Sequence, residues 1–142
     1  LNFIRIITSS RLLGVINASV EYAKEYAMER PAFGKVIAEF QSIAFMIADA
    51  YTEVEALRWL VWKTASEWDK KEDATKSSCL AMTHAIETAS TFCSNSLQIL
   101  GGAGFMQDHP IEKWLRDAQQ LSLACGPKEL LYSLAADKTL QS

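Results

Sequence analysis

The strongest constraint on folding lies between Ile37 and Glu67, where Phe40, Ile43, Ile47, Ala50, Val54, Leu57 and Val61 recur in steps of three and four residues. That spacing puts these side chains on one stripe of an α-helix, and a stripe this long has to be buried against other helices. At 1.5 Å per residue the helix would run about 45 Å. Asp69-Lys70-Lys71-Glu72-Asp73 breaks the pattern and reads as a charged, solvated turn.

Comparable helices flank this one. Residues from Ile4 to about Met28 carry apolar side chains at Ile4, Ile7, Leu12, Val15, Ile16, Val20, Ala23 and Ala27, and Pro31 with Gly34 ends the run. Gly14 weakens that helix and is most simply explained by close approach of a neighbouring backbone. A third helix spans about Ala74 to Leu100, with Ala81, Ala85 and Ala89 forming a small-residue seam that permits tight contact. A short helix starts at Pro110, closed by Arg116-Asp117-Ala118. A last one covers about Lys128 to Lys138, after a break at Cys125-Gly126-Pro127. The predicted fold is all-α: an up-and-down four-helix bundle with an additional short C-terminal helix and no strand, forming one domain over residues 1–142.

Composition agrees with a folded helical domain, since 49% of the residues are hydrophobic against only three prolines and six glycines. A net charge of −3 with no basic cluster argues against nucleic acid as the main partner. No apolar run is read as long enough to span a membrane, and no signal peptide is recognisable. Cys79, Cys93 and Cys125 are odd in number and lack metal-ligand spacing, so a reducing compartment, cytoplasm or mitochondrial matrix, is expected and no metal site. The chain opens at Leu1 in what reads as mid-helix, giving the expectation of a domain from a longer protein.

Chemistry concentrates in Gln98 to Ala118, QILGGAGFMQDHPIEKWLRDA. Glycines at 101, 102 and 104, directly after a helix, permit positive φ and let a ligand approach the main chain. Pro110 suits the first turn of the next helix, and Glu112 in that turn is favoured by the helix dipole. On its own this stretch is better read as a glycine helix stop followed by a proline helix start.

Together with Glu29-Arg30-x-x-Phe33-Gly34 and Phe40-Gln41-x-Ile43, the segments QILGGAGF and Arg116-Asp117-Ala118 resemble, in order and spacing, the C-terminal helical domain of the acyl-CoA dehydrogenases. The medium-chain members are the nearest pattern. The resemblance covers the whole chain and implies a bundle that follows an N-terminal helical domain and a middle β-domain, both outside this chain. It implies help in binding FAD across a dimer, within a tetramer, and an acyl-CoA substrate. Arg30 would then meet the FAD pyrophosphate of the neighbouring subunit, which suits a guanidinium's bidentate geometry. Phe33 would pack on that cofactor, Gln41 would contact it, and Gln98 to Gly102, with Gly101 and Gly102, would cradle its adenosine end. Arg5 matches an arginine beside the acyl-CoA and catalytic centre, and Glu129 a Gln/Glu position near the cofactor.

The family's α-proton is removed by a glutamate whose pKa rises in a desolvated pocket. In most members it precedes a Gly-Thr; here that position is Cys125, followed by Gly126-Pro127. The alternative position, directly before the conserved arginine, is Ile4. Pro127 also replaces a threonine that contacts FAD, removing an N–H and a hydroxyl. Cys125 is either a weak base or nucleophile, or a small apolar filler where the glutamate has gone. Asp117 is expected in structural pairing. His84 and His109 have no Ser or Cys partner at triad spacing, and Trp59, Trp62, Trp68 and Trp114 read as core or interface. Three functions remain open: an FAD-dependent acyl-CoA dehydrogenase, a silent flavin-binding homologue or non-catalytic subunit of a hetero-oligomer, and a helical interaction module without flavin.

Overall fold

A computed structural model describes residues 1–140, so the last two positions of the expected domain lie outside the described residues. Five helices form: α1 (Asn2–Glu29), α2 (Gln41–Asp69), α3 (Thr75–Leu100), α4 (Ile111–Ser122) and α5 (Lys128–Leu140). Strands β1 (Pro31–Ala32) and β2 (Lys35–Val36) pair antiparallel between α1 and α2, and 3₁₀ turns cover Ile37–Glu39 and Gly101–Phe105. The all-α expectation holds, with the hairpin as a small correction. Only two residues on each side pair, too few for alternation to register in sequence.

Side-chain contacts fix the directions of the helices. Asn2 donates to Thr75 at 2.9 Å and Ser9 to the Met82 sulfur at 3.6 Å, so α1 and α3 advance together. Tyr51 donates to Glu21 while Phe3 meets Trp68, so α2 runs against α1. Tyr132 donates to Glu87 and Lys138 to Asp73, so α5 runs back along α3. Helix α3 packs on all four other helices.

The seam that makes this possible is the expected one: Ala81, Ala85 and Ala89 are fully buried, as are Cys79 and Cys93. Without bulk on that face, α3 comes close enough to α1 for Leu12, Ile16 and Met82 to be sealed with Leu57 and Leu131. Each such apolar side chain contributes about 1.5–3 kcal/mol. Polar residues in the seam satisfy themselves locally: Ser9 donates to the Arg5 carbonyl at 2.7 Å and Thr83 to that of Cys79 at 2.9 Å. On α2 the stripe is fully buried only from Ala50 to Val61, while Phe40, Ile43 and Ile47 are half-covered.

Four expectations need correction. Helix α1 is long and apolar enough to cross a membrane by length and composition, but 50% of its most apolar window is buried within the bundle, as in a core helix. Trp59, Trp62 and Trp68 are exposed, at 63%, 55% and 43%, so of the two readings, core or interface, the core one fails for these three. Arg116 and Asp117 do not close α4, which continues to Ser122; they pair with Glu112 and Lys113 one turn back. Gly14 has nothing within 4 Å of where a Cβ would stand, whereas at Gly104 a Cβ would fall 2.6 Å from the Leu97 carbonyl oxygen. The glycine required by close approach is therefore Gly104. Gly104→Ala should destabilise the fold by about 1–3 kcal/mol, whereas Gly14→Ala should stabilise it by up to about 1 kcal/mol; urea unfolding of the two variants gives the comparison.

Asp73 anchors the α2–α3 turn by accepting from the Thr75 N–H at 3.1 Å and from Lys138 of α5 at 2.7 Å. Those bonds, Lys138 first, lower its pKa from 3.8 to about 2. A carboxylate depressed in the folded state adds stability above its unfolded pKa, lost as pH falls through the folded one. The stability difference between wild type and Asp73→Asn should therefore be constant above about pH 5 and shrink toward zero near pH 2 in an acid series of urea midpoints.

Candidate functional site

Helix α1 stops at Arg30, whose N–H bonds the Tyr26 carbonyl and whose own carbonyl accepts from Ile37, both at 2.9 Å. That pair holds the backbone at Arg30 while leaving its side chain exposed and, among the described residues, without a carboxylate partner. Helix α3 stops beside it, because Gly101 takes φ +59 and returns its N–H to the Gln98 carbonyl. Between the two helix ends lies a groove of about 380 Å³ lined by Tyr26, Arg30, Ile37, Leu100, Gly102 and Ala103, among others. Ala23, Ala27, Leu97, Ile99 and Ile111 form the apolar floor under it.

The hairpin projects from the same end of the bundle. Pro31 pairs with Val36 and Ala32 with Lys35, leaving Phe33-Gly34 as a two-residue turn with φ +53 and +83. Positive φ at both central positions is the type I′ pattern of two-residue hairpins, which glycine accepts and phenylalanine resists by about 1–2 kcal/mol. The strain carries a ring that is 97% exposed and meets the Phe40 ring edge-on, with centroids 6.3 Å apart. Gln41 follows Phe40 as the first residue of α2 and is exposed, as is Gln98. Arg30, Phe33, Gln41, Gln98, Gly101 and Gly102 thus gather at one end of the bundle.

The remaining candidates lie elsewhere. Arg5 sits in the second turn of α1, about 37 Å from Arg30 at 1.5 Å per residue. It is 5% exposed and donates from Nη1 to Asn2 Oδ1 at 3.0 Å. Burial pushes the Cys79 thiol up, and the charge of Arg5 pulls it back. Cys125, half-buried after α4, packs on the main core and also acts on Cys79, so Arg5 and Cys125 share a neighbour. Ile4 is half-exposed. Glu129 is exposed in the first turn of α5, next to Lys128, which reaches Glu87 at 3.5 Å; that is some four turns of α3 before Gly101.

Residue-type reading missed two features. His109 bonds the Tyr22 hydroxyl through Nδ1 at 2.8 Å and meets Tyr22 and Tyr26 edge-on, bracing the loop behind the glycines. A second groove, about 650 Å³, runs between α1 and α4 past Arg11, Gly14, Val15, Trp114 and Leu121 to Ala124, beside Cys125. Gly14 was its one sequence signal: the missing side chain opens a groove there. His84 pairs with Glu53 at 3.2 Å, and among the described residues no His, Cys, Asp or Glu group could hold a metal.

A bundle of this topology, with its glycine-ended α3 beside an arginine-ended α1, belongs to the acyl-CoA dehydrogenase family: the model of the acyl-CoA dehydrogenase C-terminal domain matches residues 1–140. The chain is 38% identical over 126 residues to the caffeyl-CoA reductase-Etf complex subunit CarC of Acetobacterium woodii, covering 89% of this chain and 33% of that protein. It is 36% identical over 138 residues to the mitochondrial short-chain specific acyl-CoA dehydrogenase of Rattus norvegicus, covering 97% and 34%. The structure of butyryl-CoA dehydrogenase from Megasphaera elsdenii superposes with a TM-score of 0.93 at 31% identity, covering 96% of this chain and 36% of that one. The chain spans about a third of the length of the relatives it matches.

Because Phe33 is 97% exposed and its ring meets that of Phe40 edge-on, Phe33→Asn trades an aromatic contact of about 1 kcal/mol for relief of comparable strain. Its unfolding free energy should stay within about 1 kcal/mol of wild type in urea titration, where loss of a core phenylalanine would cost about 3–5 kcal/mol.

Proposed function

We propose that this domain is the C-terminal part of an FAD-dependent oxidoreductase that removes hydrogens from, or adds them to, the α,β-positions of an acyl thioester. The observation that carries this reading is the junction of Arg30, Gly102 and the strained Phe33 at one end of the bundle. The residues there fit the cofactor: an unpaired guanidinium for a pyrophosphate, an accessible glycine backbone, and an aromatic ring held out at a cost in strain. The flavin, when bound, supplies the hydride acceptor. The chain's own part is to bind and orient: Arg30 neutralises phosphate charge, Phe33 and Gln41 border the cofactor, and Gln98 to Gly102 take its adenosine end.

The distance between Arg30 and Arg5 supports a shared site. Two groups about 37 Å apart along one rigid helix serve one compact site only if different copies contribute them. The reading is therefore a homodimer or dimer of dimers, in which Arg30 of one copy faces a cofactor that Glu129 of another copy also borders, with the substrate near that other copy's Arg5. The three free thiols support a reducing compartment, cytoplasm or mitochondrial matrix.

A second reading is favoured by Cys125 and Ile4. Neither position carries a carboxylate, and Pro127 has no N–H to offer, so the domain would hold flavin without supplying the α-proton base. It would then be the silent or non-catalytic partner in a hetero-oligomer. A helical interaction module without flavin leaves the strained, exposed Phe33 unexplained.

In the full-length protein, visible absorbance at purification reports bound flavin, and anaerobic addition of an acyl-CoA panel reports turnover. Arg30→Ala should weaken flavin retention about ten-fold or more, the worth of a charge-assisted phosphate bond. Unchanged flavin content would overturn the cofactor assignment. Flavin that stays oxidised with every thioester would select the silent reading over the dehydrogenase.

A further inference from the structure

We propose that His109 is a positioning residue for the flavin: tied to Tyr22, it holds both sides of the groove between Arg30 and Gly102 from behind, without touching the cofactor itself. The proposal rests on the flavin reading above and deepens it, because it names what keeps the groove in shape. It starts from a bond between groups far apart in sequence. His109 Nδ1 and the Tyr22 hydroxyl lie 2.8 Å apart, joining the loop after the glycines to α1.

The imidazole is received by a slot on α1. Tyr22 and Tyr26 are four residues apart, so they stand one turn from each other on the same helix face. His109 meets both, with its centroid 5.9 Å from each ring and its plane turned 72° and 85° to theirs. Tyr22 is in turn met by Trp114 of α4, edge-on at 6.0 Å. Edge-to-face contacts of this kind tolerate a range of separations, whereas a hydrogen bond weakens steeply with angle. The Tyr22 bond therefore fixes how deep and in which direction the ring enters the slot.

Both sides of the groove are attached to this ring. On the α1 side, Tyr26 lines the groove, its ring meets His109, and its carbonyl accepts from the Arg30 N–H at 2.9 Å. On the α3 side, the His109 N–H donates to the Met106 carbonyl at 3.2 Å and the Met106 N–H to the Ala103 carbonyl at 3.0 Å, and Ala103 lines the groove beside Gly102. Linked groups thus run from Arg30 through Tyr26, His109 and Met106 to Ala103. Gly104, held against the Leu97 carbonyl, pins the glycine turn to α3, while the bond of His109 to Tyr22 ties the same segment to α1. Without that bond the spacing of Tyr26 and Ala103 is no longer set, and a cofactor whose adenosine end rests on Gln98 to Gly102 leaves faster.

The test is the rate at which the flavin-loaded full-length protein releases FAD, followed by the fluorescence of the freed flavin. Tyr22→Phe, which keeps the ring contacts and removes the hydroxyl, should release FAD about three- to ten-fold faster, the worth of one hydrogen bond. His109→Leu should do the same, and the double variant should be no faster than either single one, since both remove a single bond. His109→Asn puts a polar atom where Nδ1 stood and should stay within about two-fold of wild type. Tyr51→Phe removes another hydroxyl bond between helices, that of Tyr51 to Glu21, and should also stay within about two-fold. Release from Tyr22→Phe at the wild-type rate would overturn the proposal and leave the flavin reading standing, as would equal acceleration by Tyr51→Phe or no recovery in His109→Asn. Should His109→Leu not fold, Tyr22→Phe set against His109→Asn decides alone. A wild-type protein that holds no flavin would overturn the cofactor reading, and the proposal with it.

Discussion

Everything in this bundle depends on how closely α3 approaches α1. Ala81, Ala85 and Ala89 present almost nothing to the interface, so the two backbones close on each other. The larger side chains on either side, Leu12, Ile16 and Met82, are then fully buried. Because α3 also meets α2, α4 and α5, this single seam decides the position of every other helix. It also explains why α1 has the composition of a membrane span and the burial of a core helix.

The seam was legible in sequence because alanines four apart have one geometric meaning on a helix. The α2 stripe was legible for the same reason, and the helix limits at Glu29, Leu100 and Lys128 fall close to where Pro31, Gly101 and Pro127 place them. Other features were not, and each for a physical cause. Gly14 and Gly104 look alike in sequence, yet one stands over open space and the other against the Leu97 carbonyl; tertiary approach alone separates them. The hairpin escaped because pairing of two residues on each side is set by positive φ at Phe33 and Gly34, not by hydrophobic alternation. The tryptophans of α2 escaped because residue type says apolar without saying which side of the helix the core occupies.

For the candidate site, the motifs named the residues but not their separation. Arg30, Phe33, Gln41 and Gln98 to Gly102 converge because two helix ends and a hairpin meet there, while Arg5, Cys125 and Glu129 sit toward the other end of the same bundle. A single rigid helix joins the two groups, so they cannot fold onto one another within a chain. On the proposed reading, in which the two groups serve one site, they would have to come from different copies, a requirement that no motif expresses.

The two ends also differ in what their chemistry implies. At the Arg30 end the charge is exposed and solvated, and the fold loses little by carrying it without a partner. At the Arg5 end the charge is enclosed, and a side chain such as methionine would fill the same volume without the desolvation penalty.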